Sequence, residues 1–427
     1  MEQTYSKGKI AASIFALGLA GGSIFIIPYI KYVFYDLQIQ VTGMSNTQSA
    51  LLLTAYSLAI FVVSVPGAFI VDRLDSKKAV QLGLIATTVL TLLYIFVYKS
   101  YILSLILWVL LSFVTMGIYW PGFSKILNVV GAKTDKTGSG KSGMTFGFYY
   151  ACNGISAAII NGLALWTTTR FDDPDTGFKA AIIVIAASTA IATLVVQFCM
   201  DKDLVALNEE VSDSGETVEK TTIKDIPELL KNKMVLMILL LCPICYALYT
   251  LQSYFTPYLT AVVGISPEES GIFAIIRTYV FFALAPLGGI LADRVFHSTA
   301  RWIGVAFGFL AVIVASFLFM PPGVPVLFIS FYTLLPSAFV QMTYTIRYSC
   351  LNEVNIPLNR IATVTSFGSI VGSMAEVVIA PFISWLMDTQ GNFAYTVLFA
   401  ILTVLLVIGC FAGLTIAKNN KKVSKTA

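Results

Sequence analysis

Lys31, Arg277 and Glu376 stand inside long apolar runs of the sequence. An ionisable group in hydrocarbon costs at least ~2.5–3.5 kcal/mol on insertion scales, so each needs a physical reason to be there. Cations at such positions suit an anionic solute, and a carboxylate suits a proton. Arg277 and Glu376 each lie about ten residues from one end of their runs, a depth of ~15 Å at the helical rise. Two readings follow. The pair is a fixed ion pair that only neutralises buried charge, or it is a coupling site where an anion or a proton competes for one partner. Lys31 lies closer to the end of its run, where it either snorkels to head groups or faces a cavity as a receiving cation. Gln252, Tyr249 and Tyr344 are polar or aromatic residues placed to touch the same solute. Lys125 and Arg347 stand at the opposite ends of their runs, as positive anchors or as an inner gate with Glu353 as partner.

Other chemistries lack their parts. The one histidine, His297, lies in a connector, and the six cysteines are dispersed. Cys242 and Cys245 make a C-x-x-C inside a leucine-rich run with no charged neighbour to favour a thiolate. Gly138-Ser-Gly-Lys-Ser142 imitates the end of a phosphate loop, but Asp135 stands where the motif needs its first glycine. No nucleophile–base pair, metal cluster or cofactor motif is found, so neither an enzyme, a metal nor a cofactor is expected. A net charge of +4, scattered along the chain, excludes a nucleic-acid surface.

The elements that hold these residues follow from composition. Hydrophobic residues make up 57% of the 427 and charged residues 12%, against about 45–50% and ~25% in soluble domains. That balance leaves an all-α membrane protein. A span needs about 20 apolar residues. Twelve runs qualify, at about 10–35, 47–71, 79–98, 101–127, 143–168, 178–200, 233–263, 267–292, 301–320, 324–350, 359–387 and 393–416. With the N-terminus in the cytoplasm, 22 of the 27 lysines and arginines fall inside and three, Lys99, Arg170 and Lys179, outside. This positive-inside bias places both termini in the cytoplasm. The one long hydrophilic stretch, 201–232, has nine acids and four bases. It reads as a cytoplasmic linker between an N-terminal six-helix bundle, 1–200, and a C-terminal one, 233–427.

The two halves repeat. At an offset of 221 residues, Gly43-Met-Ser45 matches Gly264-Ile-Ser266, Gly67 with Asp72-Arg73 matches Gly288 with Asp293-Arg294, and Phe146-Gly147 matches Phe367-Gly368. Six spans separate the copies, so both halves run the same way, as parallel repeats do. Gly67, four residues, Asp72-Arg73, three residues and Lys77 resemble the loop signature of the major facilitator superfamily, with a looser second copy ending at Asp293-Arg294. The resemblance implies twelve transmembrane helices in two parallel six-helix repeats. It also implies a cavity lined by spans one, four, seven and ten, and gating by Gly67, Asp72, Arg73, Lys77, Asp293 and Arg294, beside the inner-gate reading of Lys125 and Arg347. Pro28-Tyr-Ile-Lys31, Trp120-Pro-Gly-Phe123 and Arg347 with Asn352-Glu353 look like a bacterial branch near the organic-anion and organophosphate antiporters. Those proteins carry an arginine on span seven. Tyr249 or Gln252 holds that place here, which counts against a phosphate ester.

The expected function is therefore secondary transport of a small organic anion across the cytoplasmic membrane by alternating access. Lys31, Arg277, Gln252, Tyr249 and Tyr344 would bind the solute, and Glu376 would couple the cycle to protons. The protein would work as a monomer in the lipid bilayer. A neutral solute, such as a sugar or drug, with Arg277 and Glu376 purely structural, is the competing expectation. A non-transporting sensor signalling through 201–232 is the third.

Overall fold

The structure, a computed structural model, describes residues 7–72, 74–134, 142–200, 231–321, 323–354, 364, 368 and 370–426. Regular structure among these residues is helical throughout, without a strand. Eleven helical stretches are long and apolar enough to cross a membrane, from Asn46–Val63 to Phe393–Asn420, and Gly8–Ile24 is a shorter apolar helix. Their outer surfaces are apolar: Phe96, Phe198 and Phe319 are 81, 80 and 81% exposed. Such rings face lipid in a membrane protein; in water they would make an aggregating patch. The expected loop motif Gly138–Ser142, all but its last residue, and nearly all of the linker 201–232 lie outside the described residues.

Helix ends follow local chemistry. Asp173 caps Pro174–Cys199 by accepting from the amides of Asp175 and Thr176, with proline at the first turn. The Asp75 carboxylate accepts from the amides of Lys77 and Lys78 to start Ser76–Val97. The sequence repeat is also a structural one. Gly43 ends one helix at φ +68° and Gly264 ends another at φ +83°, a left-handed conformation that costs glycine nothing. Two residues on, each copy builds a capping box. Ser45 exchanges bonds with Gln48, Ser45 N donating at 3.1 Å and Gln48 N at 3.2 Å. Ser266 does so with Glu269, at 3.0 and 3.2 Å.

The apolar run 10–35 is not one helix. The helix Lys7–Ile24 ends, and after a turn a 3-10 segment Ile30–Tyr32 and a short helix Tyr35–Thr42 follow. Pro28 lacks an amide hydrogen and so cannot continue the ladder. Its own carbonyl accepts from the Trp108 indole at 3.0 Å. The run 101–127 is also interrupted, by a π-helical segment at Phe113–Tyr119. Pro121 deprives the Gly117 carbonyl of its usual donor there.

Contacts divide the chain into two compact units. The first holds the described residues up to 200 together with Ser266–Ala283; the second holds those of 231–265 and of 284–427. In the first unit Tyr56, Tyr94, Trp108 and Phe178 belong to one buried cluster, and Leu17, Leu84, Tyr119 and Phe123 to another. Leu251, Phe255, Phe307, Phe399 and Leu406 belong to the core of the second. Within the first unit, helices Ser76–Val97 and Pro174–Cys199 are tied at both ends. At one end Lys99 and Lys179 pair with Asp175 at 2.9 and 2.8 Å, and the Tyr98 hydroxyl donates to the same carboxylate. At the other, Lys77 reaches the carbonyls of Gln197 and Met200.

Candidate functional site

In the second unit Glu376 is the central residue. It is 2% exposed and lies on a π-helical segment, Ala375–Ile379. Segments of this kind recur at functional sites because the extra residue re-aims the side chains around it. The Tyr246 hydroxyl donates to Glu376 Oε1 at 2.8 Å and the Thr250 hydroxyl donates to the same oxygen at 3.2 Å. One helical turn further, the Tyr254 hydroxyl meets the Ala380 carbonyl at 2.6 Å and the Ser384 hydroxyl at 2.8 Å. Tyr246, Thr250 and Tyr254 repeat every four residues, so one face of Lys233–Leu251 and its continuation presents a hydroxyl stripe to a matching row on the neighbouring helix. A Cβ on Gly372 would lie 3.4 Å from Tyr246 Cβ, an ordinary contact distance.

Beside the carboxylate runs a column of aromatic rings. Tyr249 and Tyr344 stack with centroids 4.2 Å apart and planes 11° from parallel. Tyr246 stands 6.4 Å from Tyr249 and 6.3 Å from Tyr344. The Arg347 guanidinium lies 4.0 Å from the Tyr344 ring and 4.4 Å from the Tyr348 ring, and donates to the Tyr344 carbonyl at 2.7 Å. This is a cation–π arrangement of the kind a planar guanidinium favours. Gln252, three residues beyond Tyr249, is 4% exposed, and neither end of its amide has a hydrogen-bond partner among the described residues.

In the first unit three cations are enclosed, Lys31, Lys77 and Arg277. Lys31, in the 3-10 turn that follows Pro28, is 4% exposed. At that exposure its side chain is covered by protein. Arg277 is 0% exposed, in the last turn of the helix Pro267–Thr278, where a positive charge complements the helix dipole. That helix gives way to a 3-10 segment, Val280–Leu284. The Phe282 ring stacks on Tyr150, and a Cβ at Gly154 would come within 2.8 Å of the Tyr279 carbonyl. Arg277 is thereby carried by a short helix that contacts group with the first unit, a placement invisible in sequence order.

The loop-signature residues take definite positions. A Cβ on Gly67 would lie 2.1 Å from the Gly117 carbonyl, and one on Gly288 would lie 2.1 Å from the Met342 carbonyl. Both copies of the glycine therefore allow backbone-to-backbone helix packing. Lys77, 4% exposed, donates to the carbonyls of Gln197 at 2.9 Å and Met200 at 2.7 Å. It caps the C-terminus of Pro174–Cys199. Arg73 and the side chain of Asp72 lie outside the described residues. Asp293 and Arg294 are exposed on a π-helical segment, Leu291–Val295, and Lys125 is half-buried. Glu353 was expected to pair with Lys125 or Arg347. It accepts from the Ser298 hydroxyl at 2.6 Å, from the amide of Thr299 and from that of Ala300 at 3.1 Å. A carboxylate on three donors at the start of Thr299–Ser316 is an N-terminal cap.

Sequence reasoning did not single out Tyr246 and Thr250 as donors to Glu376. The signal was present, since Tyr246, Thr250 and Tyr254 share a helical face, and Glu376, Ala380 and Ser384 share another. Among the described residues no group of three or more His, Cys, Asp or Glu could hold a metal ion.

The sequence profile described as Major Facilitator Superfamily matches residues 10–375. The chain is 22% identical over 406 residues to the inner membrane protein YihN of Escherichia coli (strain K12), covering 94% of each chain. It is similar in fold to a bacterial homologue of the human lysosomal transporter Spinster in an inward-facing, unoccupied conformation, with TM-score 0.69, 16% identity and 99% of each chain covered. A POT family transporter in complex with a thioalcohol-conjugated peptide also superposes, with TM-score 0.69 and 14% identity over 97% of this chain and 96% of that one.

Proposed function

The chain belongs to the Major Facilitator Superfamily, and on that premise we propose that it moves a small organic anion across the cytoplasmic membrane in symport with a proton. The superfamily's layout gives twelve spans in two parallel halves that alternate access to a midplane site. The observation that supports the anion is the burial of Lys31, 4% exposed, and Arg277, 0% exposed, in the first unit, where the equally buried Lys77 is taken up by helix-end carbonyls. Fixed positive charge away from water attracts a negative solute far more strongly than the same charge at a surface.

Glu376 is the proton carrier in this reading. Its Oε1 is held by two neutral hydroxyl donors, Tyr246 and Thr250, which can orient the carboxyl group whether or not it is protonated. Tyr249, Tyr344 and Gln252 contact the solute. Gly67, Asp72, Arg73, Lys77, Asp293, Arg294, Lys125 and Arg347 set the packing of the cytoplasmic ends on which opening and closing depend. Purified protein in vesicles tests the coupling. An inward proton gradient accelerates solute uptake by the wild type. Glu376→Gln binds the solute but no longer responds to the gradient. A gradient response that persists in Glu376→Gln removes Glu376 from the coupling step.

A further inference from the structure

Resting on the anion-transport reading above, we infer that Gln252, beside the stacked rings of Tyr249 and Tyr344, is a hydroxyl-recognition subsite, so that the anion carried is a polyhydroxylated one such as a sugar acid. Gln252 opens the 3-10 segment Gln252–Tyr254, where the helix Lys233–Leu251 loses its regular ladder inside an apolar span. It is 4% exposed, and both Nε2 and Oε1 are buried without a hydrogen-bond partner among the described residues. A buried amide left unsatisfied costs ~1–3 kcal/mol for each orphaned group, and such groups in native proteins call for an explanation.

The neighbours of Gln252 satisfy themselves. The Ser253 hydroxyl donates back to the Thr250 carbonyl at 2.8 Å, and the hydroxyls of Tyr246 and Thr250 are engaged by Glu376. The orphaned amide therefore stands apart from the polar groups around it.

Both ends being unpaired selects the ligand's chemistry. A carboxylate or phosphate would accept from the amide nitrogen and leave the oxygen unmet. An ammonium would do the reverse. A hydroxyl pair donates and accepts within the reach of one amide, and so satisfies both ends. One turn away, Tyr249 and Tyr344 lie 4.2 Å apart and near-parallel. Flat aromatic surface of this kind suits the C–H face of a carbohydrate-like chain or ring while the amide holds its hydroxyls. The repeat adds a second argument. At the offset of 221, Gln252 corresponds to Lys31. The same position carries a cation in the first unit and a neutral donor–acceptor in the second. The duplication has diverged into one charge-reading and one hydroxyl-reading position.

The test compares six-carbon acids that differ only in hydroxylation. Thermal melts of the full chain in detergent are measured with D-gluconate, hexanoate and neutral D-glucitol, for the wild type and for Gln252→Leu. A ligand that binds only the folded state raises the midpoint with its affinity. The wild type binds gluconate at least ~10-fold more tightly than hexanoate, since a site built for hydroxyls rejects analogues that lack them. Gln252→Leu abolishes that preference. If Gln252→Leu does not fold, Gln252→Met, of closer shape, takes its place. A wild type that treats gluconate and hexanoate alike, or a Gln252→Leu protein that keeps the preference, overturns the inference. If only glucitol stabilises the wild type and Gln252→Leu loses it, the hydroxyl subsite stands and the anion reading falls.

Discussion

At the scale of single residues, charge inside an apolar chain is positioned by neighbours that are far away in sequence. Lys77 illustrates this: its ammonium satisfies the carbonyls of Gln197 and Met200 across 120 and 123 residues. Lys77→Met leaves two helix-end carbonyls without that donor, and should cost about 1–3 kcal/mol. A denaturation or thermal melt reads the loss, and Lys77→Arg recovers part of it. The sequence made Lys31, Arg277 and Glu376 legible because hydrocarbon tolerates charge so poorly. It did not make their surroundings legible. That Lys77 would cap a distant helix, or that Glu353 would cap Thr299–Ser316, depends on which helix ends meet, and pattern along one chain does not record that.

At the scale of elements, glycine contacts and caps determine how closely helices approach and where they end. Gly67→Ala puts a methyl 2.1 Å from the Gly117 carbonyl, where backbone cannot give way cheaply. A loss of ~1–3 kcal/mol is expected from overpacking, with a matching loss in Gly288→Ala against Met342. Equal melting temperatures for wild type and both variants would contradict the close approach. Asp173 provides a pH-dependent case outside the spans. Bonds from the Thr176 hydroxyl and amide hold its carboxyl below the usual carboxylate range. A lowered folded value means the cap stabilises fully above the unfolded value of ~3.9 and fades as pH falls through the folded one. Asp173→Ala should thus melt earlier than wild type at neutral pH, and the gap should close in acid below about pH 4. The capping boxes at Ser45 and Ser266 and the glycine turns before them could be read from residue types alone. The break after Ile24 was harder to read. Hydrophobicity runs on through Pro28 although the helix does not.

At the scale of the whole molecule, lipid is the solvent for the apolar faces, and the family resemblance read from the duplicated loop signature is matched by the profile over residues 10–375. The grouping of Ser266–Ala283 with the first unit was not legible, because the sequence repeat assigns that stretch to the second half. Arg277 goes with it, and anion transport as proposed depends on that arginine. The most direct measurement is uptake of a panel of labelled organic acids and neutral sugars into vesicles holding wild type, Arg277→Gln or Arg277→Lys. The wild type is expected to take up an organic acid, Arg277→Gln to lose uptake at least ~10-fold, as removal of a partner from a buried charge interaction does, and Arg277→Lys to retain part of it. Uptake of neutral sugars alone, or acid uptake at the wild-type rate in Arg277→Gln, would contradict that proposal.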